Sequence, residues 1–201
     1  MEGSGRPTKT FGLSRPMDVF EKLDFDLKRL RSSRNSSDVK FACLDLAIWS
    51  YHMIDWVLVT VSEVRHNQLT GYSRYHSKAI NGFVERQSIR LGTLGFCQQM
   101  ANTGKHRVLT HKPDDPSFET NHTVMIEWGA DANGSRQIQN MYPTAYLKDT
   151  ATGQKIDAKE FFALALEQWA NFLKAENLYD WEYDVDPPEY EPDDDGDGSA
   201  G

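Results

Sequence analysis

Two cysteines in 201 residues, Cys43 and Cys97, are too few for a disulfide framework or a cysteine-rich zinc site. Each falls inside an apolar run with helical spacing, so both are expected to be buried thiols in a reducing compartment. The Asn-x-Ser/Thr triplets at Asn35, Asn121 and Asn133 are uninformative there. No stretch reaches the roughly 18 uninterrupted apolar residues of a bilayer-crossing helix. The opening MEGSGRPTKTFG lacks the apolar centre of a secretory signal, and a soluble, cytoplasmic protein with no membrane partner is expected. No internal repeat is visible. With 39% hydrophobic residues the chain can bury one substantial core. This predicts a single domain over residues 15–179, flanked by disordered ends at 1–14 and 180–201.

Charge of one sign is missing from two places. Between Arg65 and Lys112 the chain carries eight Lys/Arg and four His but a single acid, Glu85. From Asp180 to Gly201 it carries ten Asp/Glu and no Lys, Arg or His. The net charge of -8 therefore hides a body with 22 basic and 20 acidic side chains, whose cationic excess sits in the middle segment. Such a segment attracts a polyanion at long range, and the acidic tail can compete for the same surface. RNA is the candidate polyanion, and Arg65, Arg74, Lys78, Arg86, Arg90 and Arg107 are the candidate contacts. The tail also fits a basic protein partner, and its composition is that of a disordered segment.

What is present along the chain reads as helices, then short strands, then one more helix. Met17, Phe20, Leu23, Leu27 and Leu30 recur at spacings of three and four after Pro16, predicting a helix over 16–31. The longest helix is expected from Val39 to about Val64, capped by Ser37 or Asp38 and surrounded by other helices. Residues 65–80 read as a loop or frayed extension broken by Gly71. Shorter helices follow at 82–89 and 91–103, the second stopped by Gly104. A connector is expected over 112–121, and a β insert over 121–156. Within it Val124, Ile126 and Trp128 alternate with Met125 and Glu127, Asn133-Gly134 signals a tight turn, and 137–141, 146–147 and 155–156 supply further short strands. The last helix begins at a full start signal: Asp157 as cap, Glu160 closing a capping box, and Ile156 with Phe161 as a hydrophobic staple. Its stripe of Phe161, Phe162, Ala165, Trp169, Phe172 and Leu173 runs toward Asn177. The expected class is mainly α, of the α+β kind: a helical bundle with a long central helix, a small antiparallel β element and a packed C-terminal helix.

Two clusters could carry chemistry. Asp45, Ile48, His52, Asp55 and Val59 share one stripe of the central helix, where charges must face solvent, find partners or enclose a site. A wet helix face, a structural His-Asp pair and a functional site all fit. Trp49 and Trp56 read as core anchors. The second cluster is Asn102-Thr103-Gly104-Lys105-His106, next to Arg107. It reads either as helix punctuation or as a site in which His106 transfers protons and Lys105 stabilises an anion. No metal set is complete, because His52 and Asp55 supply only two ligands, and no cofactor is implied.

The helix order, the HMIDW run at 52–56, the NTGKH run at 102–106, the strand-turn-strand element and the terminal aromatic helix resemble a group of small uncharacterised bacterial and phage proteins. That group is similar to the HEPN helical family. The resemblance implies a HEPN-like helical bundle, a homodimer, and metal-independent ribonuclease activity of a phage-defence or toxin-antitoxin type. Asn102 and His106 match the Asn-x-x-x-His half of the family motif, which gives Asn102, Lys105 and His106 catalytic roles with His52 and Asp55 in support. Ala101 stands where the family carries Arg, which leaves the phosphate contact to Lys105 or Arg107. The alternatives are a catalytically inactive adaptor or antitoxin-like protein whose tail engages a basic partner, and a carrier whose acidic tail mimics nucleic acid.

Overall fold

A computed structural model describes residues 12–105, 118–130, 136–150 and 152–180. Six helices and a three-stranded antiparallel sheet make up this part, so the chain is a mainly helical α+β protein. The first helix, α1 (Pro16–Ser32), opens with Pro16 at its start and with Asp18 folded back on the preceding backbone. The Ser14 and Arg15 amides donate to Oδ2 of Asp18 at 2.6 and 2.9 Å. Its apolar stripe is buried as the spacing predicts, with Met17, Leu23 and Leu30 at 0–1% exposure.

The central helix α2 (Ser36–Thr60) starts one residue after Asn35, whose side chain accepts from the Asp38 amide at 2.9 Å. Asn35, rather than Ser37 or Asp38, is therefore the cap. The helix also stops earlier than its apolar run suggests. Val61 is extended (φ -70, ψ 157), Ser62 accepts from the Arg65 amide, and a separate helix α3 (Glu63–Thr70) begins. Arg74 fixes the break by donating to the carbonyls of Leu58 and Val59, both at 3.1 Å, and of Val61. Residues 65–70, read from the sequence as a loop or a frayed extension of the central helix, thus belong to a separate helix. Gly71 ends α3 at φ 79, where a Cβ would be strained and would also strike the Arg86 guanidinium.

Two helices follow, α4 (Ala79–Gln87) and α5 (Leu94–Lys105), each displaced by a few residues from its expected span. Gly82 is where α4 crosses α3: a Cβ there would stand 2.2 Å from the Thr70 carbonyl oxygen. Gly104 does not stop α5, which continues to Lys105. The sheet consists of β1 (Phe118–Ala130), β2 (Arg136–Asp149) and β3 (Lys155–Asp157) in that order. Residues 118–121, expected in a connector, already pair in β1, from Phe118↔Asp149 onward. The register slips at Glu127/Trp128, so that Glu127 faces Asn140 and Trp128 faces Ile138. The Asn133-Gly134 turn lies outside the described residues.

The last helix, α6 (Ala158–Ala175), is capped by Asp157, whose carboxylate accepts from the Lys159 amide at 2.7 Å. Its stripe is buried: Phe162, Trp169, Phe172 and Leu173 are at 0–1% exposure. Phe83, Trp169 and Phe172 form an aromatic cluster with centroids 5.5 to 6.3 Å apart. Each such side chain contributes roughly 1.5 to 3 kcal/mol by leaving water. Lengthwise, α2 packs against α1, α5 and α6. Its mean hydropathy reaches 1.3 over 18 residues, enough by length and composition to cross a membrane, contrary to the expectation that no run qualifies. Its inward face is taken by the core of the bundle: Val39, Leu46, Met53, Ile54 and Val57 are fully buried.

Candidate functional site

The stripe on α2 faces outward. Asp45 pairs with Arg29 of α1 at 3.0 Å, His52 Nδ1 lies 3.2 Å from Asp55 Oδ2, and Val59 is 76% exposed. His52 and Asp55 are each about half exposed, at 51%, so neither polar side chain suffers the cost of burial. Phe41 and Leu44 lie along the same outer face, 58% and 38% exposed. Trp49 and Trp56 pack at the edge of the core, as anchors do, and Lys22 lies over the Trp49 ring at 4.9 Å. Among the described residues no group of three or more His, Cys, Asp or Glu side chains is gathered as a metal site.

The register of α5 fixes where the second cluster falls. Thr93 hydrogen-bonds Gln168 and Phe96 stacks edge-on with Phe161, so α5 runs antiparallel to α6. The Cys43 thiol senses Asp157 and Lys159 at the start of α6, and Thr60 shares a groove with Asn177 at its end, so α2 runs parallel to α6. Hence α5 and α2 are antiparallel, level at Cys97 beside Ser50. At 1.5 Å per residue, half-buried Asn102 lies about 10 Å from His52 and about 15 Å from Asp55 along the axis. Asn102 lies toward the N-terminal half of α2, and the His52–Asp55 pair toward its C-terminal half. The backbone of Lys105 ends α5, while His106 and Arg107 lie outside the described residues. Ala101 is buried at 7% exposure, so the turn before Asn102 presents no cation.

The basic segment divides into internal and outward members. Arg65 grips Glu176 through Nε and Nη2 at 2.6 and 2.7 Å, and Arg90 adds Nη1 at 2.9 Å while lying 4.2 Å over the Phe172 ring. The Glu176 side chain is only 2% exposed. The Arg65 bond holds its carboxyl below the ordinary range, against the opposing effect of burial and with help from Arg90. The same bond raises the Arg65 guanidinium. Arg74 is committed to the end of α2. Lys78 and Arg86 differ: both are exposed, and neither has a carboxylate partner among the described residues.

Just before Lys78 in the chain lies a feature the sequence reading did not single out. Tyr75 is 97% exposed and held at φ 72, a left-handed conformation a bulky side chain rarely adopts. Beside it Tyr72 and His76 stack at 4.5 Å and 20°. The alternation of aromatic and basic residues in GYSRYHSK is the signal that could have found it. Burial pushes both thiols, Cys43 and Cys97, up to about 12. Among the described residues the buried Ser50 Oγ has no hydrogen-bond partner, and its nearness to Cys97 works against the rise of that thiol.

No protein-family model matches this chain, and no curated protein or solved structure matches it.

Proposed function

We propose that the chain is a cytoplasmic, HEPN-like, nucleic-acid-linked protein that holds single-stranded RNA on the loop between α3 and α4. One observation carries this reading: Tyr75 stands almost fully exposed, with the stacked Tyr72–His76 pair beside it, Lys78 three residues on and the Arg86 guanidinium against Gly71, neither cation having a carboxylate partner among the described residues. An exposed ring offers a face to any base, and the cations offset the phosphates. Left-handed backbone at a tyrosine costs of order 1–3 kcal/mol, a strain that concentrates at binding sites. In this reading Asn102, Lys105 and His106 perform metal-independent cleavage, with Asn102 orienting, Lys105 holding phosphate and His106 moving the proton.

The test is binding of a fluorescent oligouridylate at several salt concentrations. Affinity falling with salt, and falling further in Tyr75→Gly and in Lys78→Glu with Arg86→Glu, is the expected result; binding independent of salt and of these side chains overturns the proposal. Cleavage of the same RNA in the presence of a chelator, abolished in His106→Ala, is expected of the ribonuclease.

A second reading, a binding adaptor without chemistry, is favoured by buried Ala101, where the similar family carries Arg. It predicts the same binding profile and an intact oligonucleotide, with the acidic tail at 180–201 left to engage a basic partner.

A further inference from the structure

The outer face of α2 has no occupant within the described residues. Leu44, Ile48, His52, Asp55 and Val59 fall within an arc of about 80° at 3.6 residues per turn. They are spaced by four, four, three and four, close to the seam of a coiled coil. Leu44 is 38% and Val59 76% exposed, and Ile48 is half-buried. Just beyond, at the start of α3, Val64 is 70% exposed. A helix that is apolar on nearly all sides normally has all sides covered. Here the fold covers one side and leaves an apolar seam with an imidazole and a carboxylate at its middle.

We propose that this seam is covered by a second copy of the chain, with the two α2 helices antiparallel about a two-fold axis between residues 53 and 54. The order of imidazole and carboxylate along the seam, a hydrogen-bonding pair, selects this partner and this direction. His52 precedes Asp55, so an antiparallel two-fold sets His52 of each protomer against Asp55 of the other, whereas a parallel pair would oppose His to His and Asp to Asp. The same axis sets Ile48 against Val59 on both sides of the polar layer. It also brings Leu44 to the level of the partner's Glu63 and Val64. Self-complementarity of this kind is what an isologous interface requires. The His-Asp layer fixes the register, as a polar residue does within an apolar seam. This dimer does not depend on the RNA reading.

Sedimentation velocity at micromolar concentration tests it. The wild-type chain is expected to be a dimer. His52→Asp, which sets a carboxylate against the partner's Asp55 across the axis, is expected to weaken association about a hundredfold, as is Val59→Glu. His52, Asp55 and Val59 are all exposed in one protomer, so far-UV circular dichroism should show an unchanged helical fold in these variants, while the melting temperature loses its dependence on protein concentration along with the dimer. The exchanged double variant His52→Asp with Asp55→His restores the pairing and should restore the dimer. A monomeric wild type overturns the proposal. So does a dimer indifferent to Val59→Glu and His52→Asp, or a double variant no better than His52→Asp alone.

Discussion

Arg65 and Glu176, 111 residues apart in sequence, meet through two hydrogen bonds of 2.6 and 2.7 Å. The bond ties α3 to the end of α6, and Arg90 closes it from the α4–α5 corner. Replacing Glu176 by Gln leaves two guanidinium groups without their anion. Because both arginines are partly solvated, the expected loss is about 2 kcal/mol, below the roughly 3–5 kcal/mol of a fully buried pair. Urea denaturation of Glu176→Gln measures it, and a variant as stable as wild type would show the clamp to be inert.

The same clamp sets a pH dependence. The Glu176 carboxyl is held below its ordinary 4.5 in the folded chain, so the folded state binds its proton less tightly than the unfolded state. Its contribution is complete above pH 4.5 and is lost as pH falls through the lower, folded value. Asp18 adds a loss of the same sign: burial raises its carboxyl, but the Ser14 and Arg15 amides and the Arg15 side chain outweigh that and bring it below 3.8. Melting temperature measured from pH 6 downward should fall most steeply below about pH 4.5, and less steeply in Glu176→Gln.

Arg74→Ala removes three hydrogen bonds to carbonyls at the end of α2. An expected loss of about 2 kcal/mol follows from leaving those acceptors without their donor. Amide exchange should quicken across residues 58–70. Unchanged exchange there would mean that the break between α2 and α3 needs no such tie.

Gly82→Ala is expected to destabilise by about 2 kcal/mol, because the new methyl must displace the Thr70 carbonyl or the Tyr72 ring. Tyr75→Gly acts in the opposite direction, relieving roughly 1 kcal/mol of left-handed strain. Thermal melts of the two variants should move in opposite directions, although both lie between α3 and α4.

Cys43 and Cys97, with thiols pushed up to about 12, should resist Ellman's reagent in the native chain at pH 8 and react fully in denaturant. Rapid native reaction of either would contradict the burial that causes the shift.

Much of the helical framework was legible because it rests on periodicity: the stripes of α1 and α6 and the Asp157 cap appear where spacing and capping chemistry put them. The end of α2 was not legible. Val61 to Val64 continue its apolar run, and only Arg74, thirteen residues beyond Val61, supplies the donors that stop the helix there. The roles of Arg65 and Arg90 were hidden for the same reason, since Glu176 is close to them only in the folded chain. The wet stripe of His52 and Asp55 was legible as one of three alternatives. Its distance from Asn102 required the antiparallel register of α5, which no local pattern encodes.

The elements that cover α2 arrive late. Apart from α1, every element packed against it, α4, α5, β1, β2 and α6, is translated after it. A growing chain therefore displays an apolar rod of about 37 Å that only α1 covers until α5, the sheet and α6 have followed it. Loss of α6 to truncation would leave its share of that rod, and the aromatic face of Phe83, uncovered as a substrate for chaperones and proteases.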